Sequence, residues 1–169
     1  MRKDGPLTFH IVDLPPEGID VRGEVPYAAL GIAADEVFSF AKPLQYELNL
    51  APVQDSVLVR GRLTGSVLRV CDRCLEQGEV PVAVSDVCHH FEQVQGAVLD
   101  LTEALREDIL LVFPQAWVCR ADCRGLCPQC GCDLNRSSCR CVAPVADPDD
   151  DAPSPWGVLD DLLRRDGDG

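Results

Sequence analysis

Ten cysteines in a chain of 169 residues constrain its fold more than any other feature of the sequence. Seven of them lie between Cys119 and Cys141, and Cys71 and Cys74 flank an Asp-Arg pair more than forty residues earlier. The N-terminal run MRKDGPLTFHIVDLPPEG breaks into acids and prolines before any signal-peptide apolar region forms, and no apolar run approaches the roughly 20 residues that span a bilayer. The chain is therefore read as soluble and cytoplasmic, with no membrane partner. Thiols stay reduced in that compartment, which makes metal the leading explanation of the cysteines. A disulfide framework is the competing reading, but it belongs to shorter secreted chains that cannot build a core.

Zinc requires four soft ligands converging tetrahedrally at about 2.3 Å. The run CPQCG at 127–131 supplies two, Cys127 and Cys130, from one knuckle, because Gly131 permits the backbone reversal. Cys139 and Cys141, one residue apart on an extended segment, place both thiolates on one side and complete a local four-cysteine site. Cys71 and Cys74 are then expected to join Cys119 and Cys123 in a second site. A single zinc held by some other four of these eight is the alternative, because spacing does not fix which pairs meet. Cys132 is expected to be a spare thiol and Cys88 a small buried hydrophobe. His89 and His90 are adjacent on a strand and point to opposite faces, so neither is read as catalytic.

Around these sites the sequence reads as α+β: a β-rich sheet or partial barrel with one packed helix, a Cys-rich zinc-knuckle segment and a C-terminal helix. Composition supports one globular domain or one with a small appendage, with 46% hydrophobic and 25% charged residues. The β-rich body is placed at 1–116. SVLVRGRL and SVLRVC are read as two strands joined by a hairpin turn at Thr64 and Gly65, Cys71–Gly78 as the next turn, and EVPVAVSDVCHHF as the returning strand. LTFHIV and LQYELNL are weaker strand candidates. A helix is expected near 100–113, with Asp100 as N-cap, Glu103 closing a capping box, and Leu101, Leu105, Ile109 and Val112 on one core-facing stripe. The Cys-rich segment spans 117–141, an acidic Pro-rich linker 142–153, and a helix begun by Ser154 and Pro155 covers 154–165.

Closed four-cysteine sites leave no coordination position for water, so zinc here would be structural and the chain is read as not an enzyme, with no small-molecule substrate. A thiol-active redox or metal-handling protein using Cys71 and Cys74 is the alternative, since Arg69 and Arg73 could lower a thiol pKa. The net charge of −13 excludes wholesale coating of nucleic acid, so any RNA contact must be local. Eight of the thirteen arginines concentrate near the cysteines: Arg60, Arg62, Arg69 and Arg73, then Arg120, Arg124, Arg136 and Arg140. They could form one local face for RNA phosphates or a partner protein, partly neutralise the zinc-thiolate centres, or be merely solvated.

CDRCLE after a strand, an acidic-capped helix ending ILLVFP, the run from Cys119 through GLCPQCGCDLN to Cys139-Arg-Cys141, and a final PWGVLDDLL occur in that order. In this the chain resembles the YceD family of large ribosomal RNA subunit accumulation proteins, over roughly Leu63 to Leu163. The resemblance carries over the eight cysteines named above as the family's recurring cysteines, without fixing which of them bind metal, with Gly125, Leu126, Pro128, Gly131, Leu134 and Asn135; Cys132 stands where the family pattern has no cysteine. It implies a non-catalytic role in accumulation or processing of large-subunit (23S) ribosomal RNA and in ribosome biogenesis. Structural Zn²⁺, one or two ions, and a large-subunit precursor, its RNA or a ribosomal protein are the expected cofactor and partner.

Overall fold

The computed structural model describes residues 5–92 and 98–141. The acidic linker and the C-terminal helix expected at 142–165 lie outside these residues. Strand β1 (Thr8–His10) leads through a 3₁₀ turn at Ile11–Asp13 to β2 (Ile19–Val25), and a second 3₁₀ turn, Tyr27–Leu30, precedes the two-residue β3 (Phe38–Ser39). β4 (Leu44–Val53), β5 (Ser56–Val70) and β6 (Gln77–Phe91) follow, then β7 (Val98–Asp100) and helix α1 (Thr102–Leu111). The main sheet is antiparallel, ordered β2, β4, β5, β6, with β3 pairing the far end of β5; β1 and β7 form a separate two-stranded ribbon. Among the described residues the architecture is thus α+β, an open sheet with one α-helix and no closed barrel.

β5 and β6 are fifteen residues each and make the frame on which everything else hangs. Their inward residues alternate: Val57, Val59, Leu63, Val67 and Cys71 are buried on β5 and its exit, while Val82 and Val87 are buried on β6. Val82 and Val87 are out of phase for a regular strand. A bulge resolves this, since Gly61 faces Val87 but Leu63 faces Val84, so one extra β6 residue is taken up beside Arg62 and the inward face is restored. The hairpin expected at Thr64 and Gly65 does not exist; β5 runs straight through both. Gly65 is small for a tertiary reason, because a Cβ there would sit 2.9 Å from the Tyr27 hydroxyl and 3.0 Å from Leu44 Cδ1. Pro81, opposite Ser66, is exposed on β6, which pairs with β5 alone among the described strands, the edge position where a residue without an N–H is tolerated.

α1 packs Leu101, Leu105 and Ile109 into the core, but Val112 turns outward beyond the last helical turn and Phe113 replaces it. The capping box does not form. Asp100 Oδ1 instead accepts the Thr102 N–H at 2.9 Å, and Glu103 pairs with Arg106 at 3.1 Å. His89 ties β6 to the helix through Asp108 (2.7 Å). Beneath the helix end, Phe113 meets Phe38 and Phe40, and Phe40 stacks on Tyr27 with centroids 4.2 Å apart.

Candidate metal centres

The turn joining β5 to β6 and the turn at 127–132 are the same structure built twice. In each, the first cysteine's N–H donates five residues ahead, Cys71 to the Glu76 carbonyl and Cys127 to the Cys132 carbonyl, both at 2.9 Å. In each, the residue after the second cysteine donates back to the first cysteine's carbonyl, Leu75 to Cys71 (3.0 Å) and Gly131 to Cys127 (2.9 Å). That residue must be left-handed, and it is: φ is 61° at Leu75 and 71° at Gly131. Glycine adopts this freely, whereas an exposed leucine there bears a steric cost. The sequence signal for the first knuckle was therefore weaker, since only the second shows the glycine.

The first knuckle delivers Cys71 and Cys74 to Cys119 and Cys123, which arrive on the segment leaving α1. The Sγ atoms of all four lie within 4.8 Å of one another. Cys71 and Cys123 are 4.0 Å apart and Cys74 and Cys119 3.6 Å. A tetrahedron with metal–sulfur arms of about 2.3 Å has edges of about 3.8 Å, so the donor set fits a thiophilic cation such as zinc. Burial pushes the Cys71 thiol up, but the N–H groups of Cys119, Cys74 and Arg73 outweigh it and bring it down to about 6. Cys119 is pushed up to about 12 by burial and by the neighbouring sulfurs, which cannot all be anionic together. Cys74 is also raised, although the Glu76 N–H opposes burial there. A divalent cation is what would let four such sulfurs ionise in one place.

The four sulfurs that converge at the second knuckle are those of Cys127, Cys130, Cys132 and Cys139. Cys139 is 3.4 Å from Cys127 and 3.5 Å from Cys130. The structure thus puts Cys132 where the sequence reading put Cys141. The reason is the knuckle's own closure: the Cys127–Cys132 backbone bond and the Leu126–Asp133 bridge fold Cys132 back alongside Cys127. Cys141 lies outside this foursome, yet its thiol is pushed up to about 12 chiefly by Cys139 and then by Cys130, so five thiols crowd the centre. Cys127 and Cys130 are both lowered, by the N–H groups of Cys130 and Gln129 on the former and of Cys132 on the latter. Cys88, expected to be buried, is exposed and belongs to neither group.

The two knuckles are fastened to one another through residues the spacing argument did not single out. Leu126 N–H donates to the Arg73 carbonyl (3.0 Å), and Arg73 Nη1 donates to the Cys123 carbonyl (3.0 Å). Gly125, at φ 73°, passes so close to Arg73 that a Cβ would lie 3.0 Å from its oxygen. Asn135 accepts the Arg124 N–H (2.8 Å) and turns its Nδ2 toward Cys123 Sγ at 3.5 Å, bracing a candidate ligand from outside the tetrahedron. Asp72 clamps the arriving segment, its N–H donating to the Trp117 carbonyl (3.0 Å) and its carboxylate Oδ2 accepting the Trp117 N–H (2.7 Å), and the Trp117 indole takes the space that a side chain at Gly78 would need. Trp117 stands two residues before Cys119, and that adjacency was the one available hint.

Loading these centres near pH 7 should expel protons, because Cys74, Cys119 and Cys132 are held above the ordinary thiol range while Cys71 and Cys130 sit below it. Each thiol that must ionise makes apparent metal affinity rise by about tenfold per pH unit, so binding strengthens with rising pH. Zinc titration calorimetry in two buffers of different ionisation enthalpy reads the proton count directly, and a count of zero would contradict this assignment.

The eight arginines do not form one face. Arg69 is buried, with Nη2 on Asp72 and on the Gln115 carbonyl. It shares the strand parity of Val67 and Cys71, which points it inward. Arg60 and Arg62 sit about 30 Å up β5 from the knuckle, by strand rise. Arg62 is paired with Glu47, and Arg136 with Glu76 and Asp133. Arg73, Arg120, Arg124 and Arg140 remain exposed around the knuckles, and among the described residues Arg124 and Arg140 form no ion pair.

Among the described residues no helix is long and apolar enough to cross a membrane. The chain is 29% identical over 180 aligned residues to an uncharacterized protein of Mycobacterium leprae, covering 95% of this chain and 79% of that one. It is 35% identical over 106 residues to uncharacterized proteins of Mycobacterium bovis and Mycobacterium tuberculosis, covering 54% of this chain and about half, 51%, of theirs. No solved structure matches. The family model described as "Large ribosomal RNA subunit accumulation protein YceD" matches residues 86–163, a stretch that takes in the second centre whole and begins beyond Cys71 and Cys74. Over those residues, somewhat under half of the chain, the sequence matches the model of the YceD family that its cysteine motifs resemble.

Proposed function

We propose that this chain is a non-catalytic cytoplasmic factor in the accumulation of large-subunit (23S) ribosomal RNA, with structural Zn²⁺ at both thiol centres. The observation that supports it best is the pair of interlocked knuckles lying within and beside the YceD match. In this reading residues 117–141 are a zinc-binding segment folded onto the β-rich body of 1–116. Cys71, Cys74, Cys119 and Cys123 hold one ion. Cys127, Cys130 and Cys139 hold the other, with Cys132 or Cys141 as fourth ligand. The ions do no chemistry on a substrate; they fix the ends of β5 and β6 to a chain segment that otherwise has little core of its own.

The exposed Arg73, Arg120, Arg124 and Arg140 are the surface offered to large-subunit RNA, on a chain whose net charge of −13 suppresses binding elsewhere. Reversing Arg124 and Arg140 to Glu should weaken co-sedimentation with precursor large subunits by at least about tenfold and flatten its salt dependence. Unchanged co-sedimentation would remove the patch from the proposal. Metal analysis of the protein purified without added zinc comes first: two ions per chain are expected. A thiol-active role for Cys71 and Cys74 is the second reading, favoured by the low Cys71 thiol. Against it stands the complete burial of Cys71, which denies a substrate disulfide access to the sulfur.

A further inference from the structure

We propose that the second thiol centre is a redox switch: hydrogen peroxide joins Cys130 to Cys141 as a disulfide and releases the ion held there, while the first centre keeps its own. The inference concerns the regulation of the metal site proposed above and rests on that reading.

The two knuckles share a backbone but sit in opposite surroundings. At the first, Cys71, Cys74 and Cys123 are 0%, 7% and 4% exposed, and Trp117, Val118 and Leu126 pack against them. Its converging sulfurs number four, as one tetrahedron requires. At the second only Cys127 is buried; Cys132 and Cys139 are half-buried, and Cys130 and Cys141 are exposed. None of these five belongs to an apolar cluster among the described residues. Pro128, Gln129 and Gly131 around Cys130 are exposed as well, and a methyl group built on Gly131 meets nothing within 4 Å. A small oxidant therefore reaches Cys130 and is kept from Cys71.

The fifth sulfur supplies the second half of the reaction. Cys141 is left over from the converging foursome, its N–H donates to Cys139 Sγ at 3.2 Å, and its thiol interacts with those of Cys139 and Cys130. With Cys139 a single intervening residue leaves too little chain for an unstrained disulfide, so Cys130 is the partner. Cys139 itself, 3.5 Å from Cys130, is committed to the ion. The Cys130 thiolate attacks peroxide: an S–O bond forms, the O–O bond breaks, and the sulfur is oxidised to a sulfenic acid as the peroxide is reduced. The departing hydroxide takes a proton from solvent. Cys141 then attacks the Cys130 sulfur; an S–S bond forms, the S–O bond breaks, and hydroxide leaves as water. Its proton comes from the Cys141 thiol, or from solvent where Cys141 was a ligand. Either way the disulfide leaves only Cys127, Cys132 and Cys139, one sulfur short of closing the tetrahedron, and the ion is surrendered. In a reducing compartment such a disulfide is transient, as a switch requires.

The test uses the full-length zinc-loaded chain with Cys88→Ser, which removes the exposed thiol outside both centres, and hydrogen peroxide as the probe. Ions are counted before oxidation, release is followed with a chromogenic chelator, and disulfides are mapped by alkylation and peptide mass spectrometry. Expected are two ions at the start, one of them released at least about tenfold faster than the other, a Cys130–Cys141 disulfide, and the first centre's cysteines recovered reduced. Dithiothreitol with zinc should restore the second ion. Cys141→Ser should slow the release by about tenfold or more. Should that variant not hold the second ion, the disulfide mapped in the parent decides alone. Fewer than two ions at the start would fail the metal reading, and the switch with it. Two ions that both outlast peroxide, or that leave together, would overturn the switch and leave the metal reading standing. A disulfide lacking Cys130 or Cys141, unchanged release from a two-ion Cys141→Ser protein, or a loss that dithiothreitol does not reverse would each overturn it too.

Discussion

Cys123→Ser should cost the protein one bound metal ion and lower its Tm by at least about 10 °C, while Cys88→Ser changes neither. Cys123 is 4% exposed, sits 4.0 Å from Cys71 across the first foursome and receives the Asn135 side-chain amide on its sulfur. Removing it leaves three sulfurs that cannot close the tetrahedron around the cation, and it frees the segment from Trp117 to Leu126 from the hairpin end. Cys88 is exposed on β6 and touches neither centre, so its loss falls in the range of ordinary surface changes. Differential scanning fluorimetry with elemental analysis reads both quantities. Retention of both ions and full Tm in Cys123→Ser would remove Cys123 from the ligand set. Cys132→Ser and Cys141→Ser, measured in the same way, decide the fourth ligand of the second centre: the one that loses an ion is the ligand, and the other is the accessory thiol.

What the sequence made legible followed from local chemistry. Strand identity over β4, β5 and β6 was readable from β-branched alternation, α1 from its buried stripe, and the second knuckle from Gly131, which its left-handed turn requires. The failures were tertiary. Gly65 looked like a turn because glycine usually marks one, but it is the space that Tyr27 and Leu44 need. Arg69 looked like a surface charge because arginines usually are, although its parity with Val67 and Cys71 on β5 already placed it on the inner face. Cys132, read as a surplus thiol because a tetrahedron has four corners, converges with Cys127, Cys130 and Cys139 all the same, and the serine variants decide between it and Cys141 as ligand. The count was sound, but which four sulfurs converge depends on how the knuckle closes, and spacing alone does not contain that. Asn135 and Trp117 act on the sulfurs from beyond the ligand set, where no spacing rule reaches.

Gly61→Ala should destabilise the fold by about 3 kcal/mol or more, the largest effect of any single methyl group on the main sheet. Gly61 pairs with Leu48 on β4 and with Val87 on β6 immediately before the bulge, so it is hemmed in on both edges. A Cβ built there collides with the Glu47 carbonyl oxygen and lies 2.8 Å from Leu48 Cα. Both obstacles are backbone, so no rotamer change relieves them, and either β4 must part from β5 or the bulge must shift. A shifted bulge would turn Val87 and the residues after it out of phase with the core, including His89 and its bond to Asp108. Gly131→Ala is the control: its φ of 71° is disfavoured for alanine, but nothing lies within 4 Å of the new methyl, so about 1 kcal/mol is expected. Urea unfolding followed by tryptophan fluorescence compares the two. Equal, small losses would mean that β4 and β5 can separate at Gly61 without cost, and that the long hairpin is not the rigid frame on which the first thiol centre is set.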